Sequence, residues 1–199
     1  MTNIASKDMI LVIDNGSSFI DDLLACLSRL RIEHEVKSYN ELNAGYDYNN
    51  GLVGYDAIIL SGRRSNDRLM NIVNMDIVKS AYKYDIPLLG ICYGLEIMVL
   101  ALHGTIRRMH EKVTGINHVH VKFNGPIVDK GIIDVYENHL YEVARLPRGF
   151  VSIASSDTCK NEIVVHNSKK MFGVQFHPEV SGVHGYDIIK RFYYSTLIK

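Results

Sequence analysis

The chain has 199 residues, 47% of them hydrophobic, which suits one domain spanning residues 1–199 with a sizeable core. Its 22 Lys and Arg balance 22 Asp and Glu, which argues against a general nucleic-acid binder or a polybasic membrane adapter, and no apolar run nears the roughly 20 residues of a membrane span. Met1–Asp8 lacks the basic-then-apolar order of a secretory signal and three cysteines are too few for a disulfide framework, so a reduced, cytoplasmic setting is expected.

Ile10-Leu11-Val12-Ile13 reads as a buried strand, closed by the turn residues Asp14-Asn15-Gly16. Phe19, Ile20, Leu23, Leu24 and Leu27 recur at helical spacing, which predicts a helix from about Ser18 to Leu30 with Asp21 and Asp22 in its first turn. A short strand follows at His34–Ser38, and Tyr39–Tyr55 reads as loop with one helical turn. Ala57–Leu60 is a second apolar strand, the stripe Leu69 to Tyr82 a second helix, and Pro87–Ile91 a third strand. Leu95–His103 reads as helix, with Gly104 as its cap. Continuous apolar strands alternating with helices imply a parallel sheet covered on both faces.

The pattern changes near His118. His118–Phe123, Ile132–Tyr136 and Phe150–Ala154 alternate apolar and polar residues, as half-exposed antiparallel strands do. Glu162–His166 and Met171–Phe176 suggest a hairpin about Asn167–Lys170, and a last helix runs from Gly185 to Ile198. The expected fold is a three-layer α/β sandwich: a mainly parallel central sheet with late antiparallel strands.

Gly90-Ile91-Cys92-Tyr93-Gly94, between a strand and a helix, has the form of a nucleophile elbow with cysteine as nucleophile. A tight turn projects the side chain from the sheet, and the flanking glycines permit close backbone passage. The helix start is expected to favour thiolate, and the Tyr93 N–H to face a developing oxyanion. Alone, the pentapeptide fits a buried core cysteine equally well. The segment Gln175-Phe176-His177-Pro178-Glu179-Val180 adds a histidine and a carboxylate two residues apart, which share a side on an extended chain. Glu179 can then orient His177 toward a nucleophile, the logic of a Cys-His-acid triad.

With both motifs the chain resembles the class I glutamine amidotransferases, which carry a Gly-x-Cys-x-Gly elbow and a late Phe-His-Pro-Glu motif. The likeness covers essentially the whole chain. It implies attack by Cys92 on the glutamine side-chain amide, proton relay by His177 and orientation of His177 by Glu179. It implies oxyanion donors at Gly62 and Tyr93, and substrate contacts from Glu96, Asn138, His139 and Leu140, with His139 lining the pocket by its backbone. Ammonia would pass to a partner synthase. Val180, the Glu137-Asn138-His139 block and Ser155–Cys159 most resemble the glutaminase subunit of two-subunit archaeal-type GMP synthetases. That resemblance implies, as partner, an ATP-pyrophosphatase synthetase subunit holding ATP and Mg, and no cofactor in this chain. Ser18-Phe19 and Met109-His110 resemble instead the glutaminases of anthranilate or aminodeoxychorismate synthases. The other readings are a hydrolase of γ-glutamyl compounds and a non-catalytic regulatory subunit.

Several residues depart from the family pattern. Arg63 and Arg64 follow Gly62 where the family has Gly and Pro, Glu96 stands for Gln, and Tyr141 for Asp. Arg63-Arg64 and Arg107-Arg108 suit solvated surface, or docking of an acidic partner if the fold brings them to the pocket rim. His118 and His120 share a strand face without a third ligand at metal spacing, so no metal site is expected. Cys26 and Cys159 read as unreactive, partly buried thiols.

Overall fold

The computed structural model describes residues 9–42, 46–52 and 54–197. Met1–Asp8, which bore on secretion, part of the 39–55 loop, and Ile198 at the end of the last predicted helix lie outside these residues. The elements are β1 (Met9–Asn15), α1 (Ile20–Arg29), β2 (Glu33–Ser38), a 3-10 turn (Tyr39–Leu42) and the short α2 (Tyr48–Gly51). Next come β3 (Ala57–Arg63), α3 (Arg68–Tyr84), β4 (Leu88–Ile91), α4 (Tyr93–Ala101), β5 (Thr105–Val121) and β6 (Gly131–Arg145). The chain closes with β7 (Phe150–Ser155), β8 (Ile163–His166), β9 (Met171–Val174), a 3-10 turn (Pro178–Val180) and α5 (Gly182–Leu197).

Nine strands form one sheet in the order β2-β1-β3-β4-β9-β8-β7-β5-β6. The first five run parallel, and β8, β7, β5 and β6 join antiparallel. Alternate residues of the parallel strands serve two cores. Ile10, Val12, Ala57 and Ile59 pack with Leu23 and Leu27 of α1 and Ile188, Ile189 and Phe192 of α5. Leu11, Ile13, Ile58 and Leu60 pack with Met70, Val73 and Ile77 of α3 and Leu95 and Met98 of α4. Burial on both faces is why these strands read as continuous apolar runs. The expected three-layer sandwich and its mainly parallel sheet are therefore present.

Two details differ from the sequence reading. The antiparallel strands are longer than their alternation suggests: β5 begins at Thr105, and β6 continues to Arg145. Much of β5 is exposed on both sides, so its pattern carries little period-2 signal before His118. The helix cap also differs. His103, not Gly104, takes the left-handed conformation (φ 71°) after α4. Gly104 is needed for space instead, since a Cβ there would lie 2.5 Å from Val99 Cγ1 and 2.7 Å from the Arg145 carbonyl oxygen.

Candidate active site

The parallel strands β1, β3, β4 and β9 all end at one edge of the sheet, the usual side for ligands in such folds. Cys92 leaves β4 and opens α4 with φ 51° and ψ −103°. A left-handed non-glycine residue of this kind stores on the order of 1–3 kcal/mol of strain. Two backbone hydrogen bonds hold it: Cys92 N–H donates to the Val174 carbonyl (2.8 Å), and the Cys92 carbonyl accepts from Glu96 N–H (3.0 Å). The flanking glycines act through close approach, as expected. A Cβ on Gly90 would lie 2.5 Å from the Gly94 carbonyl group, and one on Gly94 would lie 2.3 Å from the Leu60 oxygen. Helix α4 thus sits backbone-to-backbone on β3 and β4.

His177 follows β9, the strand hydrogen-bonded to β4, with Ile91 opposite Val174. Its Nδ1 lies 2.8 Å from Glu179 Oε1, and both side chains are buried. The contact forms, but not along an extended chain. Only His177 is extended, and Pro178–Val180 is a 3-10 turn that folds Glu179 back beneath the ring. His177 N–H donates to the Tyr136 carbonyl (2.9 Å), and the His177 carbonyl accepts from Ser181 Oγ (2.6 Å). Phe19 meets the imidazole edge-on at 4.7 Å. Gly62 closes the remaining side, since a Cβ there would lie 2.8 Å from the imidazole Cε1.

The resting thiol is not the thiolate that the helix start alone suggests. Burial raises the Cys92 pKa well above its usual value, and the carboxylates of Glu96 and Glu179 push it further. The Tyr93 backbone N–H, hydrogen-bonded to the sulfur, opposes them without prevailing. Desolvation and nearby negative charge outweigh a partial helix charge. Cys26 is also raised, to about 11, chiefly by burial, and Cys159 rises for the same first reason.

A cavity of about 480 Å³ opens over Cys92 and Tyr93, and Glu96, Asn138, His139 and Leu140 line it. The structure therefore brings every expected substrate-contact residue to the cavity at Cys92. Gly62 abuts the His177 imidazole. Arg63, Arg64, Lys112 and Tyr141 also line the cavity, with Ser18, Ser65 and Asn66. The Arg63 guanidinium stacks 4.3 Å from the Tyr93 ring centroid, and its Nη2 lies 3.7 Å from Glu96 Oε2. Arg64 Nε donates to Ser18 Oγ at 3.3 Å, and both residues lie on the cavity lining. Burial raises the Glu96 pKa, while Arg63 and His139 favour its charged form.

Behind this wall lies a buried polar cluster that the sequence reading did not single out. The His139 ring is turned inward, its Nε2 3.0 Å from Glu137 Oε2, while its Nδ1–H donates to the Tyr141 carbonyl (2.8 Å). Burial lowers the His139 pKa, but Glu137, the Tyr141 carbonyl and Glu96 together reverse this, so the net shift is upward. Glu162 is raised to about 9, first by burial and then by the neighbouring Glu137, and its Oε1 accepts from Ser156 Oγ at 2.6 Å. Arg107 contacts Glu142 Oε1 through Nε (2.8 Å) and Nη2 (2.7 Å). The available signal was period 2: Ile133, Val135, Glu137 and His139 are alternate residues of β6, and all are buried. His118 is exposed, with Nδ1 2.6 Å from Asp134 Oδ1. Among the described residues no group of three or more His, Cys, Asp or Glu side chains is placed to hold a metal.

Residues 11–196 match the family model described as glutamine amidotransferase class-I. The chain belongs to that family. Curated relatives include the GMP synthases [glutamine-hydrolyzing] of Yersinia pestis (strain Pestoides F), 28% identical over 203 residues, and of Edwardsiella ictaluri (strain 93-146), 28% over 204. Each alignment covers 96% of this chain but 38% of the relative, so the chain spans under two fifths of their length. A solved structure from Thermoplasma acidophilum, described as a putative subunit of GMP synthase, superposes with TM-score 0.83 at 26% identity, covering 95% of this chain and 94% of that one. The glutaminase domain of Trypanosoma brucei CTPS with bound acivicin superposes with TM-score 0.73 at 18% identity, covering 94% of each chain, a likeness of fold. The amidotransferase thus has relatives of the GMP synthase type.

Proposed function

We propose that this amidotransferase hydrolyses glutamine through a Cys92 thioester and passes the ammonia to a separate synthetase subunit that converts XMP to GMP. One observation carries the reading. Cys92 sits strained at the β4–α4 turn, over the same cavity as Glu96 and Asn138–Leu140, and the adjoining strand delivers a His177 already oriented by Glu179. Because burial keeps the resting thiol neutral, attack is coupled to proton loss. Cys92 Sγ bonds to the amide carbon as its proton moves to His177, and the carbonyl oxygen gains charge near the backbone donors at Gly62 and Tyr93. The C–N bond then breaks, His177 returns the proton to the leaving nitrogen, and ammonia departs. Water, deprotonated by His177, attacks the thioester, and glutamate leaves as the thiol reforms.

ATP and Mg belong to the partner in this reading, and the three free thiols suit a reducing, cytoplasmic setting. Lys112 lies on the Cys92 cavity and also on the adjacent groove lined by Arg107 and Arg108. With Arg64 these residues form a basic rim, which suits an acidic docking face on the synthetase.

The test is glutamate release from glutamine by the chain alone, and with an ATP-pyrophosphatase synthetase subunit, XMP and ATP. Stimulated release with GMP formed is expected. Release that the partner leaves unchanged moves the assignment to another synthase, with anthranilate and aminodeoxychorismate synthases first. Absence of release under every condition overturns the reading in favour of a non-catalytic subunit.

A further inference from the structure

We propose that Asn15 is a positioning residue for the oxyanion side of the site: paired with Asn74 and acting with Ser61, it fixes the two peptide planes that flank Gly62, and so the direction of the Gly62 and Arg63 N–H groups. The inference rests on the glutaminase reading and names what would hold its backbone donors in place.

The sheet itself creates the need for a brace. β1 and β3 stay in register up to Ile13 opposite Leu60, and then Asn15 stands opposite Arg63. One residue of β1 therefore spans two of β3, Ser61 and Gly62, which is a β-bulge. Leu60 lies opposite Gly90 of β4, so the bulge is level with Ile91 and Cys92. It also touches the rest of the site: a Cβ on Gly62 would lie 2.8 Å from His177 Cε1, and Arg63 lines the Cys92 cavity. Both carbonyls of the bulge find side-chain donors. The Ser61 carbonyl accepts from Asn15 Nδ2 (3.1 Å), and the Gly62 carbonyl accepts from Ser61 Oγ (3.0 Å). A trans peptide is planar, with its C=O and N–H opposed. Holding the Ser61 carbonyl thus aims the Gly62 N–H, and holding the Gly62 carbonyl aims the Arg63 N–H.

The brace closes on itself. Asn15 N–H donates to Ser61 Oγ (3.0 Å), and Asn15 Nδ2 also donates to Asn74 Oδ1 (3.2 Å). Asn74 Nδ2 returns a bond to Asn15 Oδ1 (2.6 Å) and gives another to the Met70 carbonyl on α3 (2.9 Å). Asn15, Ser61 and Asn74 are each at most 3% exposed. Both hydrogens of each side-chain amide are engaged, so neither asparagine can turn without leaving a buried polar group unpaired. Apolar groups of the same shape at both positions would cost the fold little. The value of the pair therefore lies in direction rather than in adhesion.

The experiment separates reactions of Cys92 that develop an oxyanion from one that does not. Glutamine hydrolysis is followed as kcat and KM on the full chain with its synthetase partner. Capture of the γ-aldehyde analogue of glutamine is followed as an affinity: the Cys92 sulfur bonds to the carbonyl carbon, the C=O π bond opens, and the thiol proton ends on the oxygen. Alkylation by iodoacetamide is the control, because sulfur displaces iodide from a saturated carbon and no carbonyl oxygen gains charge. Asn15→Leu, close in shape but without side-chain donors, should lower kcat about 30- to 100-fold and weaken aldehyde capture by a similar factor, as when an oxyanion donor is misdirected. KM and the alkylation rate should each move less than about threefold. Ser61→Ala removes one restraint and leaves the asparagine pair, so it should lower kcat about 5- to 10-fold with the same selectivity.

Equal loss of hydrolysis, aldehyde capture and alkylation would show a general loosening of the site and overturn the proposal. So would an unchanged kcat in a folded Asn15→Leu chain. Should Asn15→Leu fail to fold, Ser61→Ala decides by the same two criteria. Either failure in a chain whose unsubstituted form turns over glutamine removes the brace and leaves the glutaminase. An unsubstituted chain without turnover that still captures the aldehyde, and whose variants capture it less tightly, removes the glutaminase reading and leaves the brace. Absence of both turnover and capture overturns both.

Discussion

The two halves of the sheet are built on different physical terms. In the parallel half, β1, β3, β4 and β9 are almost wholly buried and apolar, and their shared edge holds Cys92 and, just beyond β9, His177. In the antiparallel half, β5 is largely solvated and β6 mixes buried and exposed residues, and the carboxylates of Glu137, Glu142 and Glu162 are buried there. Tight packing fixes Cys92 and His177 within backbone constraints that tolerate no extra methyl. The pocket wall depends instead on charge state, because His139 and Glu162 are buried beside Glu137 and both pKa values are shifted upward. One half supplies rigid geometry for Cys92 and His177, and the other supplies an adjustable electrostatic surface.

The contrast can be broken at the elbow first. Cys92→Gly should reduce glutamine hydrolysis by about 10³-fold or more, because the nucleophile is gone. The same change should raise stability by about 1 kcal/mol in thermal unfolding, because glycine relieves the left-handed strain. Activity and stability should thus move in opposite directions at one residue. Gly94→Ala should destabilise by about 2–4 kcal/mol in urea unfolding, since its Cβ would meet the Leu60 carbonyl and β3 cannot move aside. Glu179→Gln should lower kcat about 100-fold with little change in KM, because the His177 ring loses its charged partner.

The antiparallel half should respond to pH instead. Glu162 is raised from an ordinary 4.5 to about 9, so stability from its neutral form is complete below 4.5 and is lost as pH rises through 9. Urea midpoints at pH 5, 7 and 9 should fall in that order, and Glu162→Gln should flatten the fall by on the order of 1–2 kcal/mol. Any slope that persists belongs largely to His139, raised in the same direction. The smallest effect is expected at the solvated end. His118→Ala breaks an exposed pair with Asp134 and should change stability by less than about 0.5 kcal/mol in the same assay.

Legibility followed the same division. Runs such as Ile10–Ile13 and Ala57–Leu60 announced parallel strands because both their faces are covered. Cys92, His177 and Glu179 were legible because each lies in a short local pattern of glycines, proline and spacing. The first half of β5 was not legible, since a strand solvated on both sides has no hydrophobic period to show. Glu137 and Glu162 were passed over as buried partners because a carboxylate in a strand reads as solvent-facing unless its burial is known.

By itself the sequence determined the α/β layering, the strand-to-helix elbow at Cys92 and the pairing of His177 with Glu179. Each of these depends on residues within a few positions of one another, where backbone sterics and side-chain period act directly. Only the tertiary structure decided that Arg63 lies against Tyr93 and Glu96, and that the inward His139 meets Glu137 beside Glu162. It also decided that burial and nearby carboxylates raise the Cys92 pKa. Those outcomes depend on burial and on charges brought together from distant strands, and neither is encoded in local spacing.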